Sequence, residues 1–427
     1  MTYSRILAAL TLVSAVVFVY HPAASAYFFD DDFQWLVGTW SFRPANLVDF
    51  ASLMHFYRPV IDVYFAVATP LFGGSAASFH VANVLLHAAN GLLVFAFAQR
   101  ISRSLAFSFL TALFFVVQPA DVDAVAWVGA LAEPVSAFFG VLALLALLRF
   151  EDTGRRLWHA LSVAAFLLAL LTHESSVVFL PLLVLTAYVF VPHDRASTRW
   201  ENLARVFAPF ALVTVLYLAL DLWINSRNYV VAEGHYRIGA HVVVNALDYV
   251  VALYVGRRDA MNYGLVAVIL PLLLLRGTPR VRFATCWLLL AMAPFVLFTW
   301  GTQSRYLYLP AIGFAMLLAD GVLYLDRLLA SLVGRQAHAA VSVLLVSAIA
   351  IRFMVFALDN VETFAARTET YRRSGQLFRQ VHGPLARYSR VDPDDRLQTD
   401  HERRFVTAMI QWEYRDPTIE VIVPDKR

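Results

Sequence analysis

The sequence predicts an all-α, polytopic membrane protein: a bundle of about eleven transmembrane helices with a long first outer loop and a small extracytoplasmic C-terminal tail. Three observations predict it. Of the 427 residues, 60% are hydrophobic and 15% charged, against about 45–50% and about 25% in soluble domains. Uncharged runs approaching the roughly 20 residues that a bilayer core demands recur from the start of the chain to about Leu358. The arginines, finally, gather in short loops that fall on one side of the weave those runs describe.

The runs are bounded where charge or turn residues appear, and they cover residues 6–20, 79–97, 105–117, 135–148, 157–171, 177–191, 206–223, 263–275, 283–300, 309–325 and 337–358. Between them, Arg100 and Arg103, then Arg149, Arg155 and Arg156, then Arg195, Arg199 and Arg205, then Arg276, Arg280 and Arg282, and finally Arg327 and Arg335 share one face. The positive-inside rule makes that face cytoplasmic, with the N-terminus inside and the tail outside. Residues 240–255 are apolar as well, but counting them as a span would carry the 276–282 arginines outside, so they read as an interfacial or re-entrant helix. Residues 1–26 have the make-up of a signal peptide, with Arg5, an apolar stretch and Ala24-Ser25-Ala26. They read better as a retained span, because cleavage would unanchor the acidic cluster that follows. Two units result: a transmembrane domain over 1–358 and an extracytoplasmic tail over 359–427.

Composition narrows the function classes. The net charge of +3 and the lack of any Lys/Arg block argue against a nucleic-acid partner. Cys286 is the single cysteine and lies in an apolar run, so neither an intrachain disulfide nor a cysteine-based metal site can form. Arginine outnumbers lysine so heavily that Lys426 is the sole lysine, a bias suggestive of a GC-rich bacterial genome and hence of a bacterial inner membrane.

Ionisable groups at or below a membrane surface are costly and usually functional, and three acidic sets fall at the outer helix ends. Asp30, Asp31 and Asp32 follow the first span, where neighbouring carboxylates repel unless a cation or a proton relieves them. Asp121 and Asp123 follow Pro119; a D-x-D spacing in an extended segment would point both carboxylates one way and suit Mg²⁺ or Mn²⁺. Glu174, with His173 beside it, closes the fifth span. Each set has a bland alternative in a solvated helix boundary, a turn or a local polar pair, and their shared side of the membrane is what favours function. Two basic elements join them. Arg58 lies in the first outer loop, and Arg305 is followed by Tyr306 and Tyr308; a guanidinium among tyrosines can hold a lipid phosphate or serve an ordinary aromatic belt. His80, Asn83 and His87 recur at one face of the second span and read as a hydrogen-bonding seam between helices.

At these residues the chain resembles a known family. The stretches 79–87 (FHVANVLLH), 121–127 (DVDAVAW), His173-Glu174 and 305–310 (RYLYLP) look like the ordered blocks of GT-C glycosyltransferases, and most of all those of bacterial relatives of the transmembrane and TPR-containing O-mannosyltransferases. The resemblance covers about 30–326. It implies a GT-C-like bundle, an acidic first outer loop carrying the catalytic carboxylate, a second acidic motif in the next outer loop, and an inverting transfer from a polyprenyl-phosphate sugar donor. The chain departs from the pattern in having Gln118-Pro119-Ala120-Asp121-Val122-Asp123 where His-Pro-x-His-x-Glu is common, and His173-Glu174 for Lys-Glu. Its tail of about seventy residues is also too short for the three or more repeats a TPR array needs.

The function expected is therefore transfer of one sugar from a polyprenyl-phosphate donor in the bilayer to a protein, lipid or polysaccharide acceptor on the outer face. In it, Asp31 or Asp32 acts as base, the run with Asp30 leaving the register open, Arg58 and Arg305 with Tyr306 and Tyr308 hold the phosphate, and His173, Glu174, His80, Asn83 and His87 support. Two rivals come from other classes: a lipid or polysaccharide transporter, in which membrane carboxylates would relay protons or bind cations, and a catalytically silent scaffold of the same fold. The carboxylates cluster at outer ends and no paired half-helices suggest an inverted repeat, which disfavours the transporter.

Overall fold

The computed structural model describes residues 2–48, 56–191, 196–225, 233–332, 335–391 and 400–421. Among them, sixteen α-helices carry the architecture, beside one pair of two-residue parallel strands, β1 (Arg390–Val391) and β2 (Glu420–Val421). The helices are α1 (Thr2–Tyr20), α2 (Asp32–Gly38), α3 (Pro59–Phe72), α4 (Ala76–Ser102), α5 (Leu105–Val116), α6 (Val122–Ala126), α7 (Ala132–Thr153), α8 (Arg156–Leu170), α9 (Phe179–Phe190), α10 (Ala196–Asn225), α11 (His241–Leu253), α12 (Ala260–Arg276), α13 (Pro279–Met292), α14 (Tyr308–Leu332), α15 (Arg335–His382) and α16 (Asp400–Tyr414).

Local chemistry sets their ends. Ser75 and Ser104 accept the Ser78 and Phe107 amides at the starts of α4 and α5, both at 3.3 Å, and Asp259 takes the Asn262 amide at 2.9 Å, satisfying donors that have no intrahelical partner. Gly154 ends α7 in the left-handed region, where glycine meets no Cβ penalty.

All eleven apolar runs read from the sequence fall on helices, and the chain is an all-α, multi-pass membrane protein. Six helical stretches are long and apolar enough to cross a bilayer, and α5 with Pro119–Ala126 makes a seventh, bent by 46°. The other apolar helices, among them α3, α8, α9, α11 and α12, are shorter than a full span. Two boundaries differ from the reading. The 283–300 run stays α-helical only to Met292, where Pro294 supplies no N–H to continue the ladder and a 3-10 turn, Phe295–Leu297, follows. The last run does not stop at Leu358: with no proline to break it, α15 is 48 residues long, from Arg335 to His382, so position 358 lies inside an unbroken helix.

At the arginine-bearing helix ends, Arg100 of α4 is tied to Asp152 of α7 and Arg280 of α13 to Asp320 of α14. At the opposite end the first outer loop and the C-terminal segment build a cover with its own core, where Phe28, Phe33, Phe65 and Phe79 pack with Trp412 of α16. Trp412 stacks on Trp40 at 5.9 Å and meets Phe28 edge-on at 5.6 Å. Tyr27 links both parts, its amide donating to Thr368 of α15 at 2.9 Å and its hydroxyl to Glu413 at 2.6 Å.

Candidate active site

Between the bundle and this cover lies a cavity of about 1180 Å³, lined by Asp31, Arg58, Glu133, His173, Glu174, Arg305 and Tyr306, with Arg404 and Gln411 of α16 across from them. The aspartate run enters it through an unusual backbone. Asp30 has φ +52°, a region that aspartate tolerates better than most residues, and the chain turns there so that its two neighbours take different surroundings. Asp32 is fully buried and clamps two loops, its Oδ2 accepting the Phe29 amide at 2.7 Å and its Oδ1 the Gly129 amide at 2.5 Å. Asp31 lines the cavity instead, with Oδ1 buried and not hydrogen-bonded. Burial pushes the Asp31 carboxyl up to about 6, with Arg305 pulling the other way. Burial and the Asp31 charge also push Asp32 up, against the two amides. Gly129 makes the approach possible: a Cβ there would collide with Asp31 Oδ1.

The two arginines are held differently. Arg58 makes a bidentate pair with Glu174, at 3.1 Å from Nε and 2.7 Å from a terminal nitrogen; although burial opposes it, this pairing keeps the Glu174 carboxyl well below its usual range. Arg305 makes no ion pair with a carboxylate among the described residues. Its guanidinium lies over Trp127 at 4.6 Å and Tyr306 at 5.0 Å, and one nitrogen donates to the Tyr306 hydroxyl at 3.2 Å. Phe295 stacks on Tyr306 at 4.3 Å, and Phe298 and Trp300 extend an aromatic wall. His173 is buried; its Nδ1 accepts the Ser175 amide at 3.1 Å and lies 2.7 Å from the Ser175 hydroxyl, while Nε2 is 3.3 Å from Glu133 Oε1. Burial and Arg58 lower its pKa to about 3, so the ring is neutral.

Other residues singled out from the sequence lie away from the cavity. Tyr308, read there as a phosphate contact, is fully buried in the helix packing, its hydroxyl 2.8 Å from His87 Nδ1 and accepting from Asn90 at 3.0 Å. Two residues, about half a helical turn, separate it from Tyr306, so only Tyr306 reaches the cavity. His80, Asn83 and His87 are buried along one face of α4, with His80 Nε2 3.2 Å from the Tyr27 carbonyl and His87 Nε2 3.2 Å from that of Val116. The D-x-D segment is not extended: Pro119–Asp121 is a 3-10 turn running into α6. Helical geometry sends residues two apart to different sides. Asp121 is buried with neither oxygen hydrogen-bonded, and Asp123 accepts from Ser304 with Arg367 3.9 Å away. Among the described residues no three His, Cys, Asp or Glu side chains converge to hold a metal.

Glu133, Asp62, Gln303 and Trp127 were not singled out in the sequence, yet the first three line the cavity and the fourth supports Arg305. A signal for Glu133 existed: it is an isolated acid at the mouth of an apolar run, in Ala132-Glu133-Pro134.

Neither a family model nor a curated protein matches the chain. Solved structures do. ArnT from Cupriavidus metallidurans in the apo state is 17% identical, with TM-score 0.57 over 97% of this chain and 86% of that one. The same protein bound to undecaprenyl phosphate gives 16% and 0.54, over 98% and 86%. The archaeal oligosaccharyltransferase AglB from Archaeoglobus fulgidus, in complex with an inhibitory peptide and a dolichol-phosphate, gives 13% and 0.56; the match takes in 99% of this chain but spans 65% of that larger protein.

Proposed function

Starting from the GT-C fold that this chain has, we propose that it is a membrane glycosyltransferase, which moves a sugar from a polyprenyl-phosphate donor to an acceptor outside the membrane. The observation that carries this reading is the pairing, in one cavity, of a carboxylate with a buried, unbonded oxygen, Asp31, and a guanidinium held by ring faces rather than by a carboxylate, Arg305. A transfer of this kind asks for both. The acceptor oxygen forms a bond to the anomeric carbon and gives its proton to Asp31. The bond from that carbon to the phosphate oxygen breaks, the electron pair leaves with the phosphate, and Arg305 stabilises the growing charge. Arg58, with its fork already engaged by Glu174, adds field more than hydrogen bonds. Attack opposite the phosphate inverts the anomeric centre.

The neighbours that bind undecaprenyl phosphate and dolichol-phosphate support a polyprenyl carrier, and the inhibitory peptide on the oligosaccharyltransferase supports a protein acceptor beside lipid or polysaccharide ones. Kinship with the O-mannosyltransferase branch belongs to the same proposal, as do a bacterial inner membrane, a cytoplasmic N-terminus and an outer cover that includes residues after 358. Asp121 and Asp123 do not fit a divalent cation, since their carboxylates sit in separate surroundings, and no step here is routed through one. The test is sugar transfer by purified protein supplied with polyprenyl-phosphate sugars and candidate acceptors. Transfer by the parent and its loss in Asp31→Asn supports the reading; an Asp31→Asn protein that transfers at the parental rate overturns it.

A further inference from the structure

Glu133 is a carboxylate in an expensive position. It sits in the first turn of α7, 5% exposed, in the cavity wall. Its Oε1 is buried and has no hydrogen bond. His173 Nε2 comes to 3.3 Å, but the geometry falls short of a hydrogen bond. Arg58 and Arg305 both act on it through space, yet Arg58 is spent on Glu174 and Arg305 lies over Trp127 and Tyr306. A buried polar atom left without a partner costs about 1–3 kcal/mol, more when charged, so such an atom in a cavity wall calls for a ligand to explain it.

The neighbouring histidine says which ligand. Because Nδ1 accepts the Ser175 amide, the proton of the neutral ring is on Nε2. The wall therefore presents an N–H donor and a carboxylate acceptor side by side, 3.3 Å apart. An alcohol is complementary to that pair, since it donates and accepts through the same oxygen. While Glu133 is ionised a bare phosphate is not, having acceptors where that carboxylate needs a donor. The aromatic wall of Phe295, Phe298, Trp300 and Tyr306 lines the same cavity and offers ring faces to the apolar side of a sugar.

We infer that Glu133 and His173 form the subsite that recognises a hydroxyl of the sugar carried by the lipid donor. This rests on the donor assignment made above. In a site built this way, loss of the matching hydroxyl costs discrimination out of proportion to its size, because the protein groups are then left unpaired.

The experiment is a binding comparison on purified full-length protein, with undecaprenyl phosphate and a panel of undecaprenyl-phosphate hexoses and their mono-deoxy analogues as probes. The parent should bind at least one sugar-bearing lipid roughly tenfold more tightly than undecaprenyl phosphate, and one deoxy analogue should lose that increment. Glu133→Ala should lose it as well while binding bare undecaprenyl phosphate as tightly as the parent or more so, because removing a carboxylate near two guanidiniums does not weaken an anion. A merely structural role would weaken both lipids together. Where Glu133→Ala does not fold, Glu133→Gln keeps the volume and one acceptor oxygen, and should show a partial loss for the sugar-bearing lipid alone. A variant that keeps the full sugar increment overturns the subsite and leaves the donor assignment standing. A parent that binds none of these lipids overturns both.

Discussion

At the scale of single residues, three consecutive aspartates have been given three environments, and this makes their roles separable. Asp31→Asn keeps shape and removes the charge, so turnover should fall by about 10²–10⁴ with donor affinity largely kept, as measured by transfer rate and lipid binding. Asp32→Asn instead puts an amide group where two backbone N–H groups donate, so it should lower the yield and melting temperature of folded protein. The pH dependence has a definite sign. A base works deprotonated, and with Asp31 raised to about 6 the rate should climb through that pH to a plateau above it, as a rate profile from pH 5 to 8 would record. Gly129→Ala would drive a methyl group into Asp31 Oδ1 and should cost activity with little effect on donor affinity. The aspartate cluster, Arg58, Arg305 and Glu174 were legible because charge beside an apolar run stands out. Which aspartate faces the cavity was not, since that depends on the left-handed turn at Asp30. Glu133 was passed over because a lone acid at a helix start also serves as an ordinary dipole partner.

At the scale of elements, the helices were readable from hydropathy because bilayer thickness imposes a length and arginine marks the ends. The continuation of α15 beyond the membrane was harder to see: its outer half is polar, and hydropathy stops reporting where helix propensity carries on. The docking of α16 was invisible for another reason. Trp412 meets Phe28 and Trp40, partners far away in sequence whose pairing has no local periodicity to betray it. Trp412→Ala should remove about 3–5 kcal/mol from that attachment, and hydrogen exchange in α16 should rise by orders of magnitude while exchange in α4 and α14 stays as it is.

At the scale of the whole molecule, the cavity opens at the end opposite the arginine loops, so orientation and function stand together. In a Cys286→Ser background, single cysteines at Arg155 and Arg280 should label only from the cytoplasm and one at Tyr388 only from outside; a Tyr388 site labelled from the cytoplasm would reverse the assignment. The hydrogen bond from Tyr27 to Glu413 joins positions 386 residues apart, and Ala408 and Gln411 complete a cavity that Asp31 begins. At a synthesis rate of about 5–20 residues per second, the aspartates reach the membrane surface tens of seconds before the helix that encloses them exists. The growing chain thus carries the proposed base in an unwalled site, and competence waits until α16 has been made and docked.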